Sequence, residues 1–140
     1  MNSYKVLEYD IGNKDLHTGA GLILWSPDHS SILLVLDDRS NKWSFPKGRI
    51  EPRDLTFLHT MAREVNEETR LSYMLDYEIY DTLYTFGKDK HCLFEGGAVH
   101  PFLMPPNQEE HIVDIRYVPL KEFPSLNQNH YVRTWYTMVP

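Results

Sequence analysis

Three glutamates, Glu64, Glu67 and Glu68, fall within five consecutive positions of the segment "FPKGRIEPRDLTFLHTMAREVNEETRL", Phe45 to Leu71. On a helix, residues three and four apart lie over one another, so the three carboxylates share one face. Like charges at that spacing repel by a few tenths of a kcal/mol per pair. Arg63, four residues before Glu67, and Arg70, three after it, relieve part of this. A solvated acidic face is the ordinary explanation of such a cluster. Two neighbours change the weighting. Hard divalent cations such as Mg²⁺ take oxygen ligands and combine carboxylates with substrate phosphates. Lys47-Gly48-Arg49 lies just upstream, two cations around a residue that lets backbone bend or approach closely. Acids that hold a metal, and bases that with the metal hold phosphates, are the two halves of a phosphate site.

Those halves need elements to hold them. Leu58, Met61, Ala62, Val65 and Thr69 recur at spacings of three and four, which predicts a helix from about Leu55 to Thr69 with Asp54 as its N-cap. Upstream, "AGLILWS" (Ala20 to Ser26) and "SILLVLDD" (Ser31 to Asp38) read as two strands of a hairpin turned at "PDHS". Residues 3 to 11 form a strand or arm. Downstream, "EIYDTLYTF" and "HCLFEGGAVHPFLM" read as strands joined by "GKDK", and "HIVDIRYVPL" as another strand. "PLKEFPSL" turns into a short helix, and the tail "NQNHYVRTWYTM" is helical with Tyr131, Trp135 and Met138 on one face. Strands before, between and after helices give an α/β chain with a mixed sheet sandwiched between helices.

The totals bound the partners. A length of 140 residues suits one domain, and no apolar run approaches the roughly 20 residues of a membrane helix. The first ten residues lack the apolar core of a signal peptide, and the single cysteine, Cys92, excludes an internal disulfide, so an intracellular and most naturally cytoplasmic setting is expected. Cys92 lies in a strand with only His91 beside it as a base, and reads as a small buried hydrophobe rather than a nucleophile. A net charge of −6 argues against an extended nucleic-acid surface but leaves room for a small nucleotide, whose phosphates are reached through a metal.

The segment resembles the Nudix box: glycine, five residues, glutamate, seven residues, then Arg-Glu, an aliphatic, any residue, Glu-Glu, any residue, glycine and an aliphatic. Gly48 matches its first glycine, "REVNEE" (Arg63 to Glu68) its core, and Leu71 its closing aliphatic. Asp54 stands where the first glutamate falls, the interval to Arg63 is one residue longer, and Arg70 replaces the last glycine. A non-glycine residue in a left-handed cap costs about 1 kcal/mol, so either that strain or a longer helix is expected. The resemblance implies a single Nudix hydrolase domain over residues 1–140, folded as an α/β/α sandwich around a mixed β-sheet. It implies that water activated by Mg²⁺ or Mn²⁺ attacks a pyrophosphate linkage. Glu64, Glu67, Glu68 and the Gly48 carbonyl would be the metal ligands, with Glu67 alternatively a base, and Arg63 would orient the glutamates. The family often adds a base from the loop before the late strand. Here "NQEEHIVDIRY" offers Glu109, Glu110 and His111, of which Glu110 is preferred.

"WSFPKGRIEP" resembles the "FPKG" version of the box found in diadenosine tetraphosphate hydrolases and mRNA decapping enzymes. A dinucleoside polyphosphate is the expected substrate, with short capped RNA and inositol pyrophosphates as alternatives. Lys47 would bind phosphate, helped by Arg39 or Arg49, and Tyr84, Phe86 or Trp43 would stack on a base or pack in the core. A Nudix domain that only binds nucleotide would be marked by loss of one of the three glutamates. All three are present.

Overall fold

The computed structural model describes residues 2–5, 16–87 and 89–139. An eight-stranded sheet runs in the order β1 (Asn2–Lys5), β6 (Tyr77–Thr85), β7 (His91–Ala98), β2 (Gly19–Trp25), β3 (Ser31–Asp37) and β4 (Lys42–Ser44). Two more strands lie off that path: β5 (Lys47–Arg49) pairs with β2, and β8 (Ile112–Pro119) pairs with β3. The β2–β7 pairing is parallel and the others are antiparallel, so the sheet is mixed as expected. Helix α1 (Phe57–Thr69) and helix α2 (His130–Tyr136) supply the outer layers.

Strand periodicity shows how the layers divide. Side chains alternate faces along a strand. Leu22 and Leu24 of β2 join a core with Phe57, Met61 and Val65 of α1, whereas Ile23 joins Val132 and Trp135 of α2. In β3, Leu33 faces the first core, and Ile32 and Leu34 the second. Cys92 is fully buried in the α1-side core and its thiol is pushed up to about 12 by burial, which makes it the inert hydrophobe expected.

Strand β2 is the hinge of the architecture. It meets β3 only at Trp25 and Ile32, and at its other end it pairs instead with β5 through Gly19, Ala20 and Gly21. The wedge between β2 and β3 admits "FPKGR" against β2 at very close range. A Cβ at Gly21 would lie 2.5 Å from the Pro46 carbonyl oxygen, which no other residue type tolerates. Leu22 N–H donates to that same carbonyl at 3.0 Å. Lys47-Gly48-Arg49 is therefore a short strand fixed to the sheet, and the glycine serves close approach rather than a bend.

Several boundaries differ from expectation. The cap of α1 is Thr56, whose hydroxyl accepts from His59 N–H at 3.1 Å, and not Asp54. The helix starts at Phe57, and its buried face is Phe57, Thr60, Met61, Val65 and Thr69, with Leu58 and Ala62 at the margin. It ends where glycine would end it: Arg70 adopts the left-handed cap (φ 65°) and its N–H donates to the Asn66 carbonyl at 2.8 Å. β7 stops at Ala98, because "VHPFLM" leaves the sheet at Pro101 and exposes Val99, Phe102 and Met104. "PLKEFPSL" forms a 3-10 turn over Leu120–Ser125. Tyr131 and Trp135 are buried on α2, but Met138 lies past its end and is exposed. Of the expected opening arm, residues 6 to 11 fall outside the described residues, as does Lys88 of the β6–β7 turn.

Candidate active site

Arg63 is the hub of the site. Its Nε donates to Asp54 Oδ1 at 3.1 Å and its Nη2 to Asp54 Oδ2 at 2.9 Å, a two-point pairing with a fully buried carboxylate. Nη1 donates to Glu64 Oε1 at 2.8 Å and to Glu67 Oε1 at 3.2 Å, and Nη2 also reaches the Arg49 carbonyl at 2.9 Å. One guanidinium thus binds the helix glutamates, the β5 backbone and the pre-helix loop together. Asp54 has a different task from the cap expected of it. It accepts from Thr60 Oγ1 and from Glu51 N–H, both at 2.9 Å. Burial opposes its charge, but Arg63, the Glu51 N–H and the Thr60 hydroxyl outweigh it and hold the carboxyl well below its usual range.

On the other side of the helix face the balance reverses. Glu68 is pushed up to about 8 by burial and by the nearby charges of Glu64 and Glu110. Lys47, which donates its backbone N–H to Glu68 Oε1 at 3.3 Å, offsets only part of this. Glu64 is also raised, chiefly by burial, with Glu67 and Glu110 adding to it against Arg63. Its carboxyl packs directly on Gly48: a Cβ there would fall 2.0 Å from Glu64 Cδ, so any larger residue would displace the Glu64 carboxylate. Lys47 is lowered by its own burial, with Glu68, Glu64 and Asp37 pulling it back up, and its Nζ sits 4.9 Å from the Tyr131 ring centroid.

Lys47, Gly48, Arg49 and Glu68 line a cleft of about 390 Å³ together with Asp37, Arg39 and His91. Arg39 is at its exposed rim, with Nη2 2.8 Å from Asp37 Oδ2. Glu110 ends a 3-10 turn (Gln108–Glu110), and its charge is felt at both Glu64 and Glu68. His111 points elsewhere, its Nδ1 3.2 Å from Asp38 Oδ1. Tyr84 does not reach this cleft. It lines a separate depression with Trp25, Glu95 and Trp135, because its side of β6 faces the C-terminal half of α2. Phe86 packs edge-on against Tyr131, and buried Trp43 lies under Arg116, so neither is free to stack on a base.

Two residues that the sequence does not place in the site belong here. Asn107 Nδ2 donates to the Glu67 carbonyl at 2.6 Å, which fastens the Glu110 turn to the end of α1. His91 lines the cleft at the start of β7. Nothing in the spacing of either marks it, since both contacts cross more than ten residues of chain.

Among the described residues no group of three or more His, Cys, Asp and Glu side chains is already closed around a common point that could hold a metal. Mg²⁺ does not require such a cage, because it takes one or two carboxylates and fills its remaining positions with water and phosphate oxygens. Glu64 and Glu68 fit that mode: hard oxygen donors, mutually repelling and buried, beside a cationic strand.

The NUDIX domain model matches residues 15–137, and the chain belongs to the Nudix family. That defines its class, an enzyme that hydrolyses pyrophosphate linkages. No curated protein is significantly similar to the chain in sequence. Similar solved structures include a Nudix hydrolase from M. smegmatis, RenU, at TM-score 0.67 and 17% identity over 89% of this chain and 88% of that one. A C. elegans Ap4A hydrolase aligns at TM-score 0.65 and 17% identity, covering 88% and 96%. The NUDIX domain of Shewanella oneidensis NrtR, solved with ADP ribose, aligns at TM-score 0.67 and 16% identity, covering 87% and 84%. They share the fold of the mixed sheet and its two helical layers. No helix among the described residues is long and apolar enough to cross a membrane.

Proposed function

We propose that this chain is a divalent-metal-dependent pyrophosphohydrolase that cleaves a phosphoanhydride bond in a nucleotide, a dinucleoside polyphosphate such as diadenosine tetraphosphate being the substrate the motif favours. The observation that carries the reading is a cleft wall in which Glu68 stands against Lys47, with Glu64 packed on Gly48 of the same strand and both carboxylates raised above their ordinary range. The "FPKG" sequence and the likeness to an Ap4A hydrolase support the substrate class.

Glu64 and Glu68 are the principal metal ligands, with Glu67 and the Gly48 carbonyl completing the set. A bound divalent ion supplies Lewis-acid charge at the phosphates and acidifies water beside it. Arg63 positions the glutamates through its hydrogen bonds to Glu64 and Glu67. Lys47 holds phosphate from within the cleft, and Arg49 and Arg39 do so from its exposed side. Glu110 takes the proton from the attacking water, since its charge reaches both raised glutamates while His111 is engaged by Asp38.

The test is Mg²⁺- and Mn²⁺-dependent hydrolysis of diadenosine tetraphosphate, capped RNA, an inositol pyrophosphate, ADP-ribose and a nucleoside triphosphate, with wild type beside Glu67→Gln and Glu68→Gln. Metal-dependent turnover of the dinucleotide, abolished in both variants, is the expected result. Preferred turnover of another compound would replace the substrate class. No turnover by folded, metal-binding protein would leave a nucleotide-binding module.

A further inference from the structure

Strand β7 begins inside the cleft with His91, and the surroundings hold that residue in one place. It pairs with Gly19 of β2, where a Cβ would lie 2.9 Å from His91 Cε1. On its other side is Tyr131, with ring centroids 5.7 Å apart, and the His91 N–H donates to the Tyr131 hydroxyl at 2.9 Å. Its Nδ1 is enclosed and has no hydrogen-bond partner among the described residues, so a ligand in the cleft that the residue lines would have to be met by Nε2.

Charge defines what that nitrogen can do. Burial, with the positive charges of Lys47 and Arg49 and with His17 adding to it, pushes the imidazole down to about 3, so the ring is neutral near pH 7. A neutral imidazole has one N–H and one lone pair, and adds no charge to a cleft in which Lys47 and Arg49 already face the phosphates. A phosphate oxygen can partner Nε2 only when Nε2 carries the proton. A hydroxyl can partner it in either tautomer, because a hydroxyl both donates and accepts. In a nucleotide the groups next to the phosphates that have this property are the sugar hydroxyls.

We propose that His91 is a specificity-determining residue of the cleft, whose ring hydrogen-bonds a hydroxyl of the sugar attached to the bound phosphates. The inference rests on the proposed binding of nucleotide phosphates at Lys47 and Arg49. It makes the ribose, and not only the phosphate chain, part of what the site recognises. Such selectivity follows from a polar group that pairs with the correct ligand and is left unpaired by its deoxy analogue.

Calorimetric titration of ADP, 2′-deoxy-ADP and 3′-deoxy-ADP into wild type, His91→Ala and His91→Gln, with Mg²⁺ present, tests this. Wild type should bind ADP about tenfold more tightly than one of the two deoxy compounds. His91→Ala should bind all three alike, at the affinity wild type shows for that deoxy compound. His91→Gln, whose amide also donates and accepts, should regain part of the preference, and it serves as the working variant if His91→Ala unfolds. Equal binding of the three by wild type, or an undiminished preference in both variants, overturns the role of His91 while leaving the nucleotide reading in place. No binding of any of them to wild type overturns both.

Discussion

Asp54, in the loop before α1, and Glu68, in the last turn of that helix, are two carboxylates of one site, and their surroundings drive them in opposite directions. Asp54 meets a guanidinium at two points, a hydroxyl and a backbone N–H, and is held well below its usual range. Glu68 meets one backbone N–H and two like charges, and is pushed up to about 8. Burial works against the charge of both, and only at Asp54 do hydrogen-bond donors outweigh it. The first carboxylate is complete within the protein and works as structure. The second is left short of positive charge, which is the condition a divalent cation and a phosphate-binding lysine can use.

Removing each partner measures the contrast. Asp54→Ala removes the two-point partner of Arg63, which keeps Glu64 and Glu67, and leaves the Thr60 hydroxyl and the Glu51 N–H without their acceptor, so it should cost about 1–3 kcal/mol in urea unfolding. A cost under about 1 kcal/mol would show that the pairing is no more than a surface bridge. The stability that Asp54 contributes is present above its unfolded value of 3.8 and is lost as pH falls below it, since its folded value is depressed. Glu68→Gln should instead lower metal-dependent hydrolysis by about 100-fold or more if Glu68 is the metal ligand proposed above, because loss of a ligand exceeds the loss of an outer-shell partner. In metal-free protein the same change should raise the melting temperature. Glu68 is raised from 4.5 to about 8, so wild type loses stability relative to the variant as pH climbs through that window, and Mg²⁺ should shrink the gap. A variant less stable than wild type at pH 8 would sink the comparison.

Smaller effects sharpen it. Asn107→Ala cuts the bond that fastens the Glu110 turn to α1, and should lower kcat about tenfold with KM little changed. An unchanged kcat would remove Glu110 from the reaction. Arg70→Gly relieves a left-handed residue at the helix end and should stabilise the fold by about 1 kcal/mol without altering turnover. A destabilised Arg70→Gly protein would mean that the arginine side chain does more than tolerate its backbone.

The sequence exposed one class of feature well and another poorly. Periodicity placed α1 over the right residues because an apolar stripe must face the core, and the strand runs were read for the same reason. The glutamate cluster was readable because its members lie within one turn and a half of helix. Asp54 was noticed as a departure but read as a cap, since its partner lies nine residues on and only the folded loop brings Arg63 to it. Asn107 and His91 meet the site through contacts 40 residues or more away in sequence, from Asn107 to Glu67 and from His91 to Tyr131, where no local pattern reaches. Tyr84 was placed by residue type, but the pleat of β6 settles which side of the sheet it serves. The "VHPFLM" run has the composition of a strand, and Pro101 and the chain's exit from the sheet decide otherwise.

The splaying of β2 between β3 and β5 gives the catalytic cleft two unequal kinds of wall. Lys47 to Arg49 belong to the sheet and are clamped against Gly19 and Gly21 at distances that admit no extra atom. Arg39 and the 107–111 segment sit on connections that touch solvent. A lineage exploring new substrates can therefore edit the rim at small cost, while the floor admits almost no change of side-chain volume. Variation among relatives should concentrate at residues 40–41 and 108–109, beside Arg39 and Glu110 but not at them, and an engineer wishing to redirect the enzyme should begin there and leave the clamp alone.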